Sequence, residues 1–583
     1  MIVSPPGSNR ADVTIQIISN LYHNHPDQHI LVVAKNSTTL ESIFDRIKGL
    51  DIDPRHLIRL GHDSETGSTL GEWGKAGRVN AYLQTRLDLL AQVDRLAQSL
   101  HMTGAFGYTC ETAGYFFTSQ IKNRWESFWN SAASSAQTIE SQFPFTAFFS
   151  DAAQPLFKKG LSLEEAKNVA QGCYAYIQNI FKQLEEIRAF EILRTGEDRV
   201  SFLLMKGVRI VALTSSYASV CRQELLSVGF KYQTLIMEEA SQMLEIEGFI
   251  PMTLQPLDID TGISHLERVI MIGDHRQVAP AVRNAALDKY ANLEQSLFSR
   301  LIRLGVPSIQ LDVQAQVRSS IANLYRWAYP QLKDSKSVSA EKPFSEANPG
   351  FCFEYQFVNV DDYVGHGEIE TRPLFLQNLG EAEYAVAIFQ YLRLLGYPAE
   401  KITLLAAYNG QKELINDVIK QRCGWHPLFG QPGTVSTIDQ YQTLQNDFVI
   451  LSLVRTSELG HLRDIRKLIT GFSRAKLGLY VLGRRSLFEA CGDLEPIFKT
   501  LWDRPTDKLW LHTEERFVNA TRSVDQHELK FNKKSNEWQS TAKKGNAIVG
   551  IKSLEEMGSL VHKMAQEKIT ELKAQKQASM DES

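Results

Sequence analysis

The sequence predicts an α/β fold: two domains built on parallel sheets, a helical insertion in the first, and a polar, helical tail at the C-terminus. Two observations predict it. Short apolar, β-branched runs recur along the chain, and amphipathic stretches of helical period separate most of them, the pattern of parallel sheets covered on both faces. A loop that has the outline of a phosphate cradle also stands at the head of the sequence, directly after Met1-Ile2-Val3.

The expected strands are His29–Ala34, Arg209–Thr214, Thr234–Met237, Arg268–Ile272, Ser308–Leu311, Ile402–Ala406, Thr434–Thr437, Asp447–Leu453 and Leu477–Leu482. Helical period marks Ala11–Tyr22, Thr38–Lys48, Glu381–Leu395 and Gly410–Gln421. Between residues 80 and 200 the pattern is almost wholly helical, in Tyr82–Leu100, Thr118–Ala136, Leu163–Lys182 and Gln183–Arg194, which reads as an insertion. From Val518 the chain turns polar and then helical over Ser553–Lys576, an expected appendage that is partly disordered. The expected divisions are residues 1–79 with 201–300, the helical block 80–200, residues 301–517, and the tail 518–583.

Composition excludes several classes. With 583 residues, 43% hydrophobic and 22% charged, the chain is long enough for two to four cored domains. A net charge of −4 argues against a protein that coats nucleic acid indiscriminately, so a nucleic-acid path would be a local groove. Six scattered cysteines without a C-x-x-C suit a reducing compartment, and Cys423 and His426 form a lone C-x-x-H, short of a zinc set. No apolar run approaches the roughly 20 residues of a membrane span, and the N-terminus lacks signal-peptide grammar. Only Met1-Ile2-Val3 precede the loop, so the chain reads as a fragment or as a domain that has lost its entrance.

The loop is Ser4-Pro5-Pro6-Gly7-Ser8-Asn9-Arg10-Ala11. In the ATP-binding pattern G-x-x-x-x-G-K-[ST], backbone amides cradle phosphate, Lys reaches the β- and γ-phosphates and the hydroxyl holds Mg²⁺. Here Ser4 and Asn9 replace the glycines, Arg10 the Lys and Ala11 the hydroxyl. Gly7, Ser8, Asn9, Arg10 and Ala11 are therefore candidate residues of a degenerate nucleotide site. After the run Thr234–Met237 come Glu238 and Glu239. Two acids at the end of a strand facing a phosphate loop can orient Mg²⁺, the role given to Glu238, and polarise an attacking water, the role given to Glu239. Arg268–Ile272 leads into Gly273-Asp274-His275-Arg276-Gln277, which puts Gln277 where it would sense a γ-phosphate. Arg474, in Gly471-Phe472-Ser473-Arg474-Ala475, could cross to stabilise charge on a transferring phosphoryl group.

In this order the set resembles superfamily 1 helicases, which carry such motifs on two RecA-like domains. Tyr108–Phe117, Asn292–Phe298, Gln377–Tyr384 and Gly460–Asp464 bring the resemblance to the Aquarius family of spliceosomal, intron-binding helicases, over nearly the whole chain. The resemblance implies a nuclear protein of pre-mRNA splicing with intron RNA and spliceosomal proteins as partners, no membrane partner, and ATP with Mg²⁺ as cofactors if it is active. It also implies a nucleotide contact at Gln442, and RNA contacts at Thr214 and Ser215 after one strand and at Tyr408 in Ala407-Tyr408-Asn409-Gly410-Gln411.

The departures from the family pattern fall on one reaction. Family members keep G-P-P-G-T-G-K-T, so five of the loop's eight positions differ. Gln316 stands where the family carries an Arg aimed at the γ-phosphate, and Thr443 replaces a Gly. Glu238, Glu239, Asp274, Gln277, Gln442 and Arg474 remain. Losing single transition-state groups costs on the order of 10²–10³ in rate, so the expected molecule is an RNA- and protein-binding scaffold with little or no ATPase activity. The alternative is an active ATP-dependent RNA helicase.

Overall fold

A computed structural model describes residues 1–61, 68–131, 136–151, 155–157, 161–255, 257–258, 260–282, 284–373, 375–424, 426–517, 522–524, 529–532, 537–540 and 548–581. The chain packs as two compact units. One comprises residues 17–236 and 249–269, the other residues 1–16, 237–248 and 270–583.

The first strands are β1 (Ile2–Val3), β2 (Ile30–Ala34), β3 (Leu57–Arg59), β4 (Ile210–Thr214), β5 (Thr234–Glu238), β6 (Arg268–Gly273) and β7 (Ile309–Gln310). In the unit holding residues 17–236 their order is β3-β4-β2-β5. Ile30–Ala34 run parallel to Ile210–Thr214, and every residue of both strands is buried, as a sheet covered on two faces requires. The insertion belongs to the same unit. Its long helices Lys75–Ser99 and Leu163–Ile187 pack around Val93, Phe116, Ile121, Ile177 and Leu184. A π-helical turn at Phe117–Ile121 interrupts the helical stretch expected from Thr118.

In the other unit the end of β5 is followed in order by β6, β1 and β7. Two residues are enough to make β1 a strand: Ile2 lies in parallel register with Ile272 on one side and Ile309 on the other. A short parallel pair follows, β8 (Val313–Gln314) with β9 (Lys333–Asp334). Then come β10 (Tyr355–Asn359), the antiparallel pair β11 (Ile369–Arg372) and β12 (Phe375–Gln377), β13 (Ile402–Ala406), β14 (Thr434–Thr437), β15 (Asn446–Ser452) and β16 (Ala475–Gly483). The second parallel sheet has the order β10-β16-β15-β13-β14. These parallel sheets with their helices are the two RecA-like arrays that the sequence predicts.

The helix Leu379–Leu395 is buried on most of its circumference, which its sequence shows as an almost unbroken apolar run. The tail explains why. Helix Leu554–Asp581 places Met557, Val561, Met564 and Ala565 in the same core, and Leu509–His512 pairs antiparallel with Ile548–Ile551. Part of the described tail is therefore core material, and the expected appendage is corrected to this extent. A polar stretch conceals it, because only one face of the helix is apolar. The disorder expected of the tail concerns segments such as 525–528, 533–536 and 541–547, which lie outside the described residues. Among the described residues no helix is long and apolar enough to cross a membrane.

Candidate nucleotide-binding site

The strand β1 delivers the chain to Ser4, whose N–H donates to the Gly273 carbonyl at 2.9 Å at the end of β6. Two prolines stiffen the turn, and Ser8 Oγ closes it by donating to the Pro5 carbonyl at 2.7 Å. Gly7 has φ +77°, and a Cβ there would lie 3.1 Å from Gln314 Oε1, so this position needs glycine on both counts. Asn9 also sits at positive φ, 51°, a conformation that glycine takes without strain and Asn tolerates. Helix Arg10–Asn24 begins immediately afterwards.

Arg10 turns onto the acids at the end of β5. Its Nε lies 2.5 Å from Glu238 Oε1 and a terminal nitrogen 2.9 Å from Glu239 Oε1. One helical turn on, Thr14 Oγ1 donates to Glu238 Oε2 at 2.8 Å. Both carboxylates are completely buried. Burial pushes the Glu238 carboxyl above its ordinary pKa, against the pull of Arg10. Burial would lower the Arg10 guanidinium, but Glu238 and Glu239 outweigh it and hold the pKa above the ordinary value. Glu239 takes a left-handed conformation, φ 59°, and its Oε2 is buried without a hydrogen-bond partner among the described residues. Strain of this kind concentrates at functional sites.

Beyond β6, Asp274 Oδ1 accepts the Arg276 N–H at 3.0 Å. Its Oδ2 accepts from Gln277 Nε2 at 2.7 Å and from the Tyr329 hydroxyl at 2.6 Å. The Gln277 side-chain oxygen accepts in turn from Arg474 at 3.1 Å. Arg474 also donates to the carbonyls of Thr470 and Gln442 and to Ser473 Oγ. Burial lowers its pKa to about 10. Gln442 thus enters the site through its backbone oxygen. Gln316 Nε2 donates to Asn9 Oδ1 at 2.7 Å, and the Ala315 N–H donates to the Gly7 carbonyl at 3.0 Å. Ala11 presents no side-chain oxygen, so the helix start lacks the hydroxyl of the common pattern.

The structure thus brings together Gly7, Ser8, Asn9, Arg10, Glu238 and Glu239, and separately links Gln277, Arg474 and Gln442. Sequence reading missed Thr14, Tyr329 and the Asn9–Gln316 pair. The one available signal for that pair is that both positions depart from the family pattern together. The candidate RNA residues are placed differently. In the other unit Thr214 accepts the Tyr217 N–H at 3.2 Å as helix cap, and both it and Ser215 are buried. Tyr408 is 8% exposed, its ring 4.2 Å from that of His461, and burial lifts its hydroxyl to about 12. Cys423 is buried, and among the described residues no group of three His, Cys, Asp or Glu could hold a metal ion.

Family profiles described as AAA domains match residues 1–285 and residues 293–486. The RNA helicase aquarius of Mus musculus is 49% identical over 516 residues, covering 87% of this chain and 35% of that protein. The chain belongs to the Aquarius family of superfamily 1 helicases. The pre-mRNA-splicing factor cwf11 of Schizosaccharomyces pombe is 29% identical, covering 91% of this chain and 40% of that one. The ATP-dependent helicase NAM7 of Saccharomyces cerevisiae is 28% identical over 306 residues, covering 51% of this chain and 29% of that one. The chain therefore spans between a third and two fifths of the length of aquarius and cwf11.

Membership in this family implies ATP and Mg²⁺. The donor set here does not fit the metal: Ala11 offers no ligand, and both acids already ion-pair with Arg10.

Proposed function

We propose that this chain is an Aquarius-like helicase-fold subunit of pre-mRNA splicing, nuclear, engaging intron RNA and spliceosomal proteins, with little or no ATPase activity. The observation that carries the reading is the Arg10 guanidinium held against both Glu238 and Glu239. Those acids would have to orient a metal and a water, and here their charge is spent on a tethered cation. On this reading ATP and Mg²⁺ are not working cofactors, and Thr214 and Ser215 in one unit and Tyr408 in the other are each candidate RNA contacts. The likeness to aquarius and cwf11 supports the splicing context.

The reading is tested by RNA-stimulated ATP hydrolysis, comparing the natural chain with the triple variant Asn9→Gly, Arg10→Lys, Ala11→Thr. Turnover only in the triple variant supports the scaffold. Two observations favour an active enzyme instead: Glu239 Oε2 has no hydrogen-bond partner among the described residues, and Gln277 and Arg474 stand hydrogen-bonded to one another. Turnover by the natural chain that Glu239→Gln abolishes would establish that second reading, with ATP and Mg²⁺ as cofactors.

A further inference from the structure

The disagreement between Arg10 and a metal site leads further, and the step rests on the functional reading above. We propose that the phosphate-loop site is latched shut from within. Arg10 takes the place of the divalent cation on the acid pair, and Asn9 and Gln316 join the loop to the segment after β8, so that the chain holds its packed arrangement without nucleotide.

In a nucleotide-driven protein the closed arrangement is populated because the ligand binds it better than the open one, and the ligand supplies the difference. Here side chains supply contacts at the positions where phosphate and cation would lie. Two buried carboxylates side by side repel one another and need a positive partner. Arg10 provides it at 2.5 and 2.9 Å from two successive residues, and Thr14 satisfies a further oxygen at 2.8 Å. An incoming metal would have to displace a guanidinium from two fully buried acids, which leaves that guanidinium without its partners.

The second contact crosses a long stretch of sequence. Gln316 Nε2 meets Asn9 Oδ1 at 2.7 Å, with the Ala315 N–H on the Gly7 carbonyl at 3.0 Å beside it. Gln314 orders the turn that presents them, its Oε1 accepting the N–H groups of Gln316 at 3.2 Å and Val317 at 3.0 Å. A glycine at residue 9 has no side chain to offer, so the Asn that spoils the cradle is the residue that makes the latch. The two departures are complementary: an amide acceptor faces an amide donor. Around them Gln277–Arg474, at 3.1 Å, and the Val278 N–H on Thr470 Oγ1, also at 3.1 Å, fasten the segment after β6 to the helix Ile465–Phe472 and the residues that follow it.

The test is hydrogen exchange by mass spectrometry on the full chain, following peptides over residues 4–16 and 314–318 with and without Mg²⁺ and a non-hydrolysable ATP analogue. The natural chain should exchange equally in both conditions. Gln316→Ala and Asn9→Ala should each speed exchange of the loop peptides about five-fold, the weight of one net hydrogen bond, and the double variant should add nothing further. Urea midpoints of these variants separate loosening of the latch from general unfolding. A natural chain protected by the nucleotide analogue, or single variants that exchange like the natural chain, would overturn the proposal. Hydrolysis assayed on the same samples keeps the two claims apart. Turnover by the natural chain sinks both the scaffold reading and the latch, whereas no turnover with nucleotide-dependent exchange sinks only the latch.

Discussion

Arg474 and Gln277, nearly two hundred residues apart in sequence, share a hydrogen bond of 3.1 Å in which the guanidinium donates and the side-chain oxygen accepts. Gln277 passes the contact on to Asp274 at 2.7 Å, and Asp274 to the Tyr329 hydroxyl at 2.6 Å. Arg474 thus serves as a buried hub whose acceptors are oxygens without formal charge. The following consequences can be measured.

Arg474→Ala should destabilise the chain by about 3 kcal/mol, because charged hydrogen bonds are lost and several buried acceptors are left unpaired. Arg474→Lys should recover less than half of the loss, since an ammonium cannot reproduce the planar fork. Urea midpoints read both. An Arg474→Ala variant within about 0.5 kcal/mol of the natural chain would show that the hub is dispensable.

Arg10→Ala should show a pH-dependent defect. Glu238 already has a folded-state pKa above its ordinary 4.5, mainly from burial, and Arg10 opposes that rise. A carboxyl raised in the folded state binds its proton more tightly there, so stability is lost as pH rises from the unfolded value through the folded one. Without Arg10 the folded value rises further and the loss deepens. The deficit should be small near about pH 5 and reach about 3–5 kcal/mol above neutrality. Thermal unfolding across that range checks it, and a deficit independent of pH would refute the assignment.

Glu381 gives the same sign over a defined pH window. Burial pushes its carboxyl from 4.5 up to about 7, although Ser452 Oγ and the Val454 N–H donate to it at 2.6 and 2.8 Å. Stability should therefore fall between pH 4.5 and about 7 and level off above. Glu381→Gln, which cannot ionise, should flatten that slope and stand above the natural chain at pH 8 or thereabouts. Denaturant titrations of the two proteins at several pH values decide it.

Met557→Ala should cost about 2–4 kcal/mol, the usual cost of emptying a core methionine site, since Met557 is fully buried in the core beside helix Leu379–Leu395. Deleting the chain from Leu554 onward should cost more and expose apolar surface to a hydrophobic dye. A truncated chain as stable as the whole would return the tail to the status of an appendage.

Much of this architecture can be read along the chain. Apolar pentapeptides such as Ile30–Ala34, Ile210–Thr214 and Ile402–Ala406 form strands where their periodicity puts them, because a run buried on both faces needs little else. The loop Ser4–Ala11 and the acids after β5 are likewise legible, since phosphate chemistry imposes residue types at short spacing. Short strands escaped: Leu57–Arg59 and Tyr355–Asn359 carry too few residues, or too mixed a pattern, to rise above their surroundings. Contacts between distant segments escaped too. Nothing in the sequence says that Arg10 lies on Glu238 and Glu239, that Asn9 finds Gln316, or that a polar tail supplies Met557 to a core. Local periodicity reports how a segment presents its own side chains. Which surfaces meet is set by strand order and chain return, where side chains hundreds of residues apart compete for the same buried space.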